Sequence, residues 1–340
     1  MSFFLTEKGF VMARLLIPIL FFLALGSDIA MSQVLHLSPA GSDQHDGRKP
    51  DQAFASLQRA VDAGYEASRK TGNGHILILV AEGHYKGQTT IADSPPAGTH
   101  LEIRAASPTG TAATFDGTGT AGTWFVLKGA TKKGARVTFR GLDIRHYRTA
   151  ISLNGNRNNV NTFLTGTTIE DMRFDTIGQI AAPNSPPSTA AIRLVNARQN
   201  SIRNNRFVNI RNVKSCGNLH AIYLAHHASG NVIEDNDFEN TCGSPIRIRD
   251  SSNNNIASNN TFRQADYPAI FDEWYCDRSK NPRCTKQSGE CPSWGNIYSG
   301  NTVERSNAKA MSRPVLVHAP QIRAGCAAPD AAERRPQAPR

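Results

Sequence analysis

The stretch HAIYLAHHASGNVIEDNDFENTCGSPIRIRDSSNNNIASNNTF, residues 220–262, states one pattern twice. The triplet Ile222-x-Leu224 returns as Ile246-x-Ile248, and NVIEDNDF (231–238) returns as NIASNNTF (255–262). A repeat at a fixed period outranks every other sequence signal, because it decides the architecture of the whole chain.

Working outward, the same two segment families recur. The first comprises FRGLDI ending at Ile144, TTIEDMRF ending at Phe174, NSIRNNRF ending at Phe207, then the two segments above, then NIYSGNTV ending at Val303. Their end points lie 30, 33, 31, 24 and 41 residues apart, so insertions fall between otherwise matching units. The second family is AISL (150–153), AIRL (191–194), AIYL (221–224), PIRI (245–248) and AIFD (269–272). Apolar residues alternate with period two over four to six positions, which is the signature of short strands. One unit cannot bury its apolar face alone. Stacking it on its neighbours can, and that is the logic of a solenoid. Asparagine recurs two residues before the large apolar residue, at Asn205, Asn236, Asn260 and Asn301. Stacked about 4.8 Å apart, these amides are expected to hydrogen-bond as a ladder inside the coil.

The chain has 340 residues, 39% of them hydrophobic, and a net charge of +10. Such a charge favours a polyanionic sugar, nucleic acid or anionic lipid as partner. Arg14, the apolar run LLIPILFFLAL (15–25) and the small residues after it predict a signal peptide over 1–32, with a cleavage zone at 26–32. The run is too short for a comfortable membrane span, and no later stretch is apolar enough for one. Export to the periplasm or outside the cell is expected, which leaves nucleic acid a poor partner. Export also makes disulfides natural for Cys216, Cys242, Cys276, Cys284, Cys291 and Cys326, none of which has the C-x-x-C spacing of a zinc site. Cys216 and Cys242 each shortly precede matching strands, so they are expected to pair across adjacent rungs. Two of Cys276, Cys284 and Cys291 are expected to pin the insertion 272–295, and the third to reach Cys326.

An amphipathic helix is expected over about residues 54–70, followed by a strand at ILILV (76–80). HLSPAGSDQHDGRKPDQAFASLQRAVDAG (36–64) with ILVAEGHYKG (78–87) resembles the N-terminal cap of the pectate lyase-like proteins, and ATFDG (113–117) and VTFRGLDIRHY (137–147) are similar to their first coils. The resemblance covers roughly 34–306 and implies an all-β fold, a right-handed parallel β-helix with an N-terminal capping helix. The domain is bounded at 33–306, and the Ala/Pro/Arg-rich remainder, 307–340, is expected to be a disordered tail.

Function has to come from the outer face, since this superfamily includes lyases, hydrolases, epimerases and adhesins. One outward column reads Ser152, Arg193, Tyr223, Arg247, Phe271, and the next reads Asn154, Val195, Ala225, Arg249, Glu273, with His220, His226, His227 and Asp250 at the bends. Arginine forks match carboxylates, and aromatic faces stack on sugar rings. Relatives acting on uronates abstract the proton at C5 and expel the oxygen at C4, which needs a cation, a base and an acid. On that basis Arg247 is expected as carboxylate clamp or base, Tyr223 as acid or base and His226 as an alternative base. Arg193, Arg249, Phe271 and Trp274 are expected to bind substrate. No metal ligand is assigned. The resemblance admits Ca2+, for which Asp250, Asp272 and Glu273 are the nearest acidic residues. The expected protein is a monomer acting on an acidic polysaccharide as a lyase. Alternatives are a non-catalytic glycan binder and a uronate C5-epimerase in the same groove. A separate column, Glu170, Arg203 and Glu234, alternates in sign down the stack and is expected to be structural.

Overall fold

The computed structural model describes residues 32–72, 74–107, 113–120, 122–263, 269–277, 284, 290–304, 315–317 and 326. The expected signal peptide, but for Ser32, lies outside the described residues.

Each turn of the chain lays one short strand on each of three parallel sheets. Among the described residues, the first sheet has nine strands and runs from Ser32–Leu37 to Ile297–Ser299. The second has eight, from Gly83–Lys86 to Thr302–Glu304. The third also has eight, from Thr90–Asp93 to Val315–Val317. An additional two-stranded pairing joins Leu164–Thr165 to Ala197–Arg198. Alternation sets the faces. In the third sheet Ile151, Ile192, Ile222 and Ile246 stand in register and point inward, as do Leu153, Leu194, Leu224 and Ile248.

The helix forms at Leu57–Thr71, three residues later than its sequence pattern suggests at the start. Ser56 caps it by accepting from the Arg59 amide, and Gly72 closes it in the left-handed conformation at φ 86°. Leu57, Ala60, Val61 and Tyr65 are buried. Gly64 allows close approach to the first sheet, since a Cβ there would lie 2.6 Å from Ile76.

Asparagine does the internal work the repeat implies. Asn205 Nδ2 donates to Asn236 Oδ1 at 2.9 Å, Asn236 to Asn260 at 3.0 Å, and Asn260 to Asn301 at 3.0 Å. A second ladder links Asn200, Asn231, Asn255 and Asn296 at 2.9–3.0 Å. These amides satisfy buried backbone groups at the corners, where no strand partner is available. The residue just before the first ladder adopts positive φ at Asp171, Asn204, Asp235, Asn259 and Gly300, which explains why the repeat places Asp, Asn or Gly there. Below the ladder, Phe174, Phe207, Phe238 and Phe262 stack with centroids 4.8–4.9 Å apart. Outside, Arg203 bridges to Glu170 at 2.6 Å and pairs in register with Glu234, the structural role expected of that column.

Two expectations need correction. Phe271 is not outward. It pairs with Ile246, is buried, and packs against Phe262 and Tyr298. AIFD therefore sits one residue out of step with AIYL, because the large apolar Phe271, not Ile270, fills the core position of that rung. The outward columns end in Asp272 and Trp274, while Glu273 turns inward and accepts from Tyr298 Oη at 2.8 Å. Burial raises the Glu273 pKa above its ordinary value.

The second correction concerns the tail. Val315–Val317 pairs in parallel with Phe271–Glu273, and Cys326 is bridged to Cys291, so these parts of 307–340 are ordered and the coil outlasts residue 306. An apolar Val-Leu-Val run supplied one more rung within a composition that reads as disorder. The rest of 307–340 lies outside the described residues. The other disulfides join Cys216 to Cys242, with Cα atoms 5.3 Å apart, and Cys276 to Cys284.

Candidate functional site

Ser152, Arg193, Tyr223, Arg247 and Asp272 follow one another in register across adjacent strands of the third sheet. One step along, Asn154, Val195, Ala225, Arg249 and Trp274 do the same. Strand alternation thus lifts five cationic or aromatic groups, Arg193, Tyr223, Arg247, Arg249 and Trp274, onto one face. A cleft of about 310 Å³ opens over three of them, lined by Tyr223, Arg247, Arg249, His220, Asn218 and the segment 187–189.

The groups in the cleft hold each other in place. Arg249 Nη1 donates to Tyr223 Oη at 3.1 Å, and its guanidinium lies 4.4 Å from the Trp274 ring centroid. Its Nε donates to Glu290 Oε2 at 2.6 Å. Burial works against the Arg249 charge, but Glu290 and Tyr223 outweigh it and raise its pKa. Arg247 pairs with Asp272 and lies 5.9 Å from the same indole. Its Nε is buried without a hydrogen-bond partner among the described residues, leaving one donor unmet at the cleft floor. Arg193 donates to Ser152 Oγ at 3.1 Å, and burial lowers its pKa.

His220 is the member that sequence reasoning did not select. It starts the strand His220–Ala225, is 2% exposed, and stacks on Tyr223 with centroids 5.6 Å apart. Its Nδ1 lies 2.7 Å from the Ser244 carbonyl oxygen, so Nδ1 carries the proton and Nε2 the lone pair. Burial first, then Arg247 and Arg249, push its pKa down to about 3. The imidazole is neutral at any ordinary working pH. His220 was visible in the sequence three residues before the outward Tyr223, but its contact with the Ser244 carbonyl joins residues 24 apart and no local pattern signals it.

The cleft wall comes from insertions. Asn212 Oδ1 accepts from the amides of Gln179 and Ser188, and its Nδ2 donates to the Ser188 carbonyl at 2.9 Å. Cys216 opens the short turn that carries Asn218, and Cys242 Sγ accepts from the Asn212 amide at 3.3 Å. The Cys216–Cys242 bridge therefore braces both sides of this wall. Gly243 is required beside it, since a Cβ there would fall 1.8 Å from the Leu219 carbonyl oxygen.

The structure brings Tyr223, Arg247, Arg249 and Trp274 together, with Arg193 one rung away, and leaves two expected residues out. Phe271 is in the core. His226 occupies a corner at φ 53°, between Asn196 and Asp250, and its buried ring pairs with Asp250 Oδ2 at 2.6 Å. It does not line the cleft. Burial raises the Asp250 pKa, but hydrogen bonds from His226 and the Cys291 amide outweigh it and lower the value.

Asp250, Asp272 and Glu273, the carboxylates the sequence offered for Ca2+, do not converge into an oxygen cage for an ion that takes six to eight oxygen ligands. Asp250 is engaged by His226, Asp272 by Arg247, and Glu273 by Tyr298. Donor atoms of His226, Asp250 and Glu290 do lie within 4.8 Å of one another. Glu290, however, already balances Arg249 and has Arg157 at 3.7 Å.

Residues 126–273 match the model of the right-handed beta helix region family. An alginate lyase from Paenibacillus sp. strain FPU-7 superposes with a TM-score of 0.53 at 15% identity, over 75% of this chain and 77% of that one. The chain is a right-handed parallel β-helix. A rhamnogalacturonan lyase (TM-score 0.41, 12% identity, 83% of this chain and 65% of that one) is also similar. So is the catalytic domain of an α-1,3-glucanase of family GH87 (TM-score 0.47, 16% identity, 74% and 44%). This β-helix thus spans less than two thirds of those two chains. No curated protein matches it by sequence. At these identities the likeness carries the fold, and the chemistry of this β-helix rests on its own cleft.

Proposed function

We propose that this β-helix is an exported enzyme that cleaves a uronate-containing polysaccharide by β-elimination in the cleft over Tyr223. The observation that carries the reading is convergence. Two arginines, a phenol and a neutral buried imidazole line one cleft, and among the described residues no carboxylate does. A glycosidase of the usual kind needs two carboxyl groups flanking the bond. A lyase needs a cation, a base and an acid.

The roles follow from the hydrogen bonds. Arg247 and Arg249 bind the sugar carboxylate and stabilise the charge that builds on it as the C5 proton leaves. His220 Nε2 takes that proton. Its low basicity in the free protein stems from burial and from the two arginines. A bound carboxylate neutralises those cations and restores part of the basicity. Tyr223 Oη accepts from Arg249, so its own O–H is left to protonate the C4 oxygen as the C4–O bond breaks and the C4–C5 double bond forms. Trp274 and Arg193 extend the surface on either side for neighbouring sugars. Export and an acidic polymer as partner fit the basic chain and its three disulfides.

The test is absorbance at the unsaturated-uronate band while the mature protein meets a panel of uronate polymers. A rise with one polymer is expected, with Tyr223→Phe and His220→Asn each lowering kcat by about a hundredfold or more. Binding without any rise, and with no C5 inversion by NMR, would reassign the cleft to glycan binding. Inversion without cleavage would make the protein a C5-epimerase.

A further inference from the structure

Far from the cleft, the outer face of the first sheet carries His75, His100 and Glu102. The fold places them deliberately close. His75 and His100 are register partners on adjacent strands, and Glu102 follows His100 by two residues on the same face. The two imidazoles lie parallel, with centroids 4.8 Å apart and an 11° tilt. Both direct Nε2 to the same side. His75 Nε2 is 2.9 Å from Glu102 Oε2, and His100 Nε2 is 2.9 Å from Thr138 Oγ1, where Thr138 is the register partner of Glu102. Donor atoms of all three side chains lie within 4.8 Å of one another. The other Glu102 oxygen, Oε1, is taken by Arg104 Nε at 3.4 Å, which leaves Oε2 on the histidine side.

We propose that His75, His100 and Glu102 bind a first-row divalent transition ion of the zinc class, independently of the cleft. Two imidazoles and one carboxylate are the donor set such ions take, with water completing the shell, whereas Ca2+ and Mg2+ prefer all-oxygen sites. Two features make the site more than a surface histidine pair. The backbone register fixes the ligands on neighbouring rungs of a rigid sheet backed by Ile76, Leu101 and Ile103. The pair is partly shielded, at 33% and 18% side-chain exposure for His75 and Glu102, which limits competition by water. Binding replaces the contacts of the two Nε2 atoms with Glu102 and Thr138 by bonds to the ion, and the parallel rings tilt so that both Nε2 lone pairs point at it.

The experiment is calorimetric titration of the untagged mature protein with Zn2+ alone, with Ca2+ as a second titrant. One Zn2+ per chain is expected, with no comparable Ca2+ binding. His75→Ala, His100→Ala and Glu102→Gln should each weaken Zn2+ binding by at least about tenfold, given that even outer-shell losses cost about 10- to 100-fold. Near-ultraviolet circular dichroism of each variant reports whether it is folded. With Cu2+ as the probe, electron paramagnetic resonance should show two coupled nitrogens in the native chain and one in either histidine variant. Absence of saturable Zn2+ binding overturns the proposal. So does full retention of binding in the His75→Ala/His100→Ala chain, which would place the ion elsewhere.

Discussion

At the scale of single residues, the interior asparagines carry more of the stability than the outer charges do. Asn236 is 1% exposed and makes bonds in three directions: to Asn260 Oδ1, to the Ile202 carbonyl, and from the amides of Asn205. Asn236→Ala leaves several of these buried groups unmet, each a cost of about 1–3 kcal/mol. A loss of about 3 kcal/mol in urea unfolding is expected. Glu234→Ala, on the outer charge column, should stay within about 0.5 kcal/mol. Equal losses would mean the ladder is geometry without energetic weight. His220 supplies a pH signature. Its folded pKa of about 3 lies below the ordinary histidine value, so the unfolded chain binds a proton the native chain refuses. The contribution is therefore fully present above about pH 6.5 and is lost as pH falls toward 3, at up to about 1.4 kcal/mol per pH unit. His220→Gln, whose amide can still donate to the Ser244 carbonyl, should flatten this acid limb in unfolding measurements between pH 4 and 7. An unchanged limb would assign the acid sensitivity to other groups.

At the scale of elements, strands were legible and loops were not, for a physical reason. Period-two alternation is enforced by the pleat, so the columns through Arg193, Tyr223 and Arg247 and through Arg249 are legible in the sequence alone. The last rung slipped because Ala269-Ile270 imitates Ala221-Ile222 after an insertion, and only packing against Phe262 decides that Phe271 is the inward residue. Asn218 and Glu290 reach the site through turns and insertions whose paths no periodicity encodes, and His220 reaches it from the first residue of a strand. The Cys216–Cys242 bridge ties two such segments together, and this gives the element-scale prediction. Replacing both cysteines by serine removes a cross-link separated by 26 residues, worth roughly 3 kcal/mol in the chain-entropy account. It also frees the wall carrying Asn218 and the Asn212 contact. The midpoint of unfolding should fall while far-ultraviolet circular dichroism of the native state stays unchanged. Uronate binding should weaken further than Asn218→Ala alone weakens it. A variant with a lower midpoint but native affinity would show that the bridge braces the coil and not the cleft.

At the scale of the whole molecule, each rung touches only the rungs above and below, so damage should stay local. The C-terminal end offers the sharpest test. Val315–Val317 covers the edge of Phe271–Trp274, and Cys326 fastens Cys291, whose neighbour Glu290 holds Arg249 in the cleft. Ending the mature chain at residue 306 removes the covering strand and the fastening together. Hydrogen exchange should then quicken in Ile246–Arg249 and Phe271–Trp274, whose amides and carbonyls lose their outer partner or its support, while Gly74–Val80 under the N-terminal helix keeps its protection. Cys291→Ser/Cys326→Ser in the full-length chain separates the two effects, because it releases the fastening but retains the strand. If Glu290 is placed by the disulfide, this variant should lose affinity for the uronate polymer as the truncated chain does, with exchange in Phe271–Trp274 nearly unchanged. If exchange instead rises evenly from the first rung to the last, the coil unfolds as one cooperative body, and the nearest-neighbour account of its stability fails together with the local reading of the cleft.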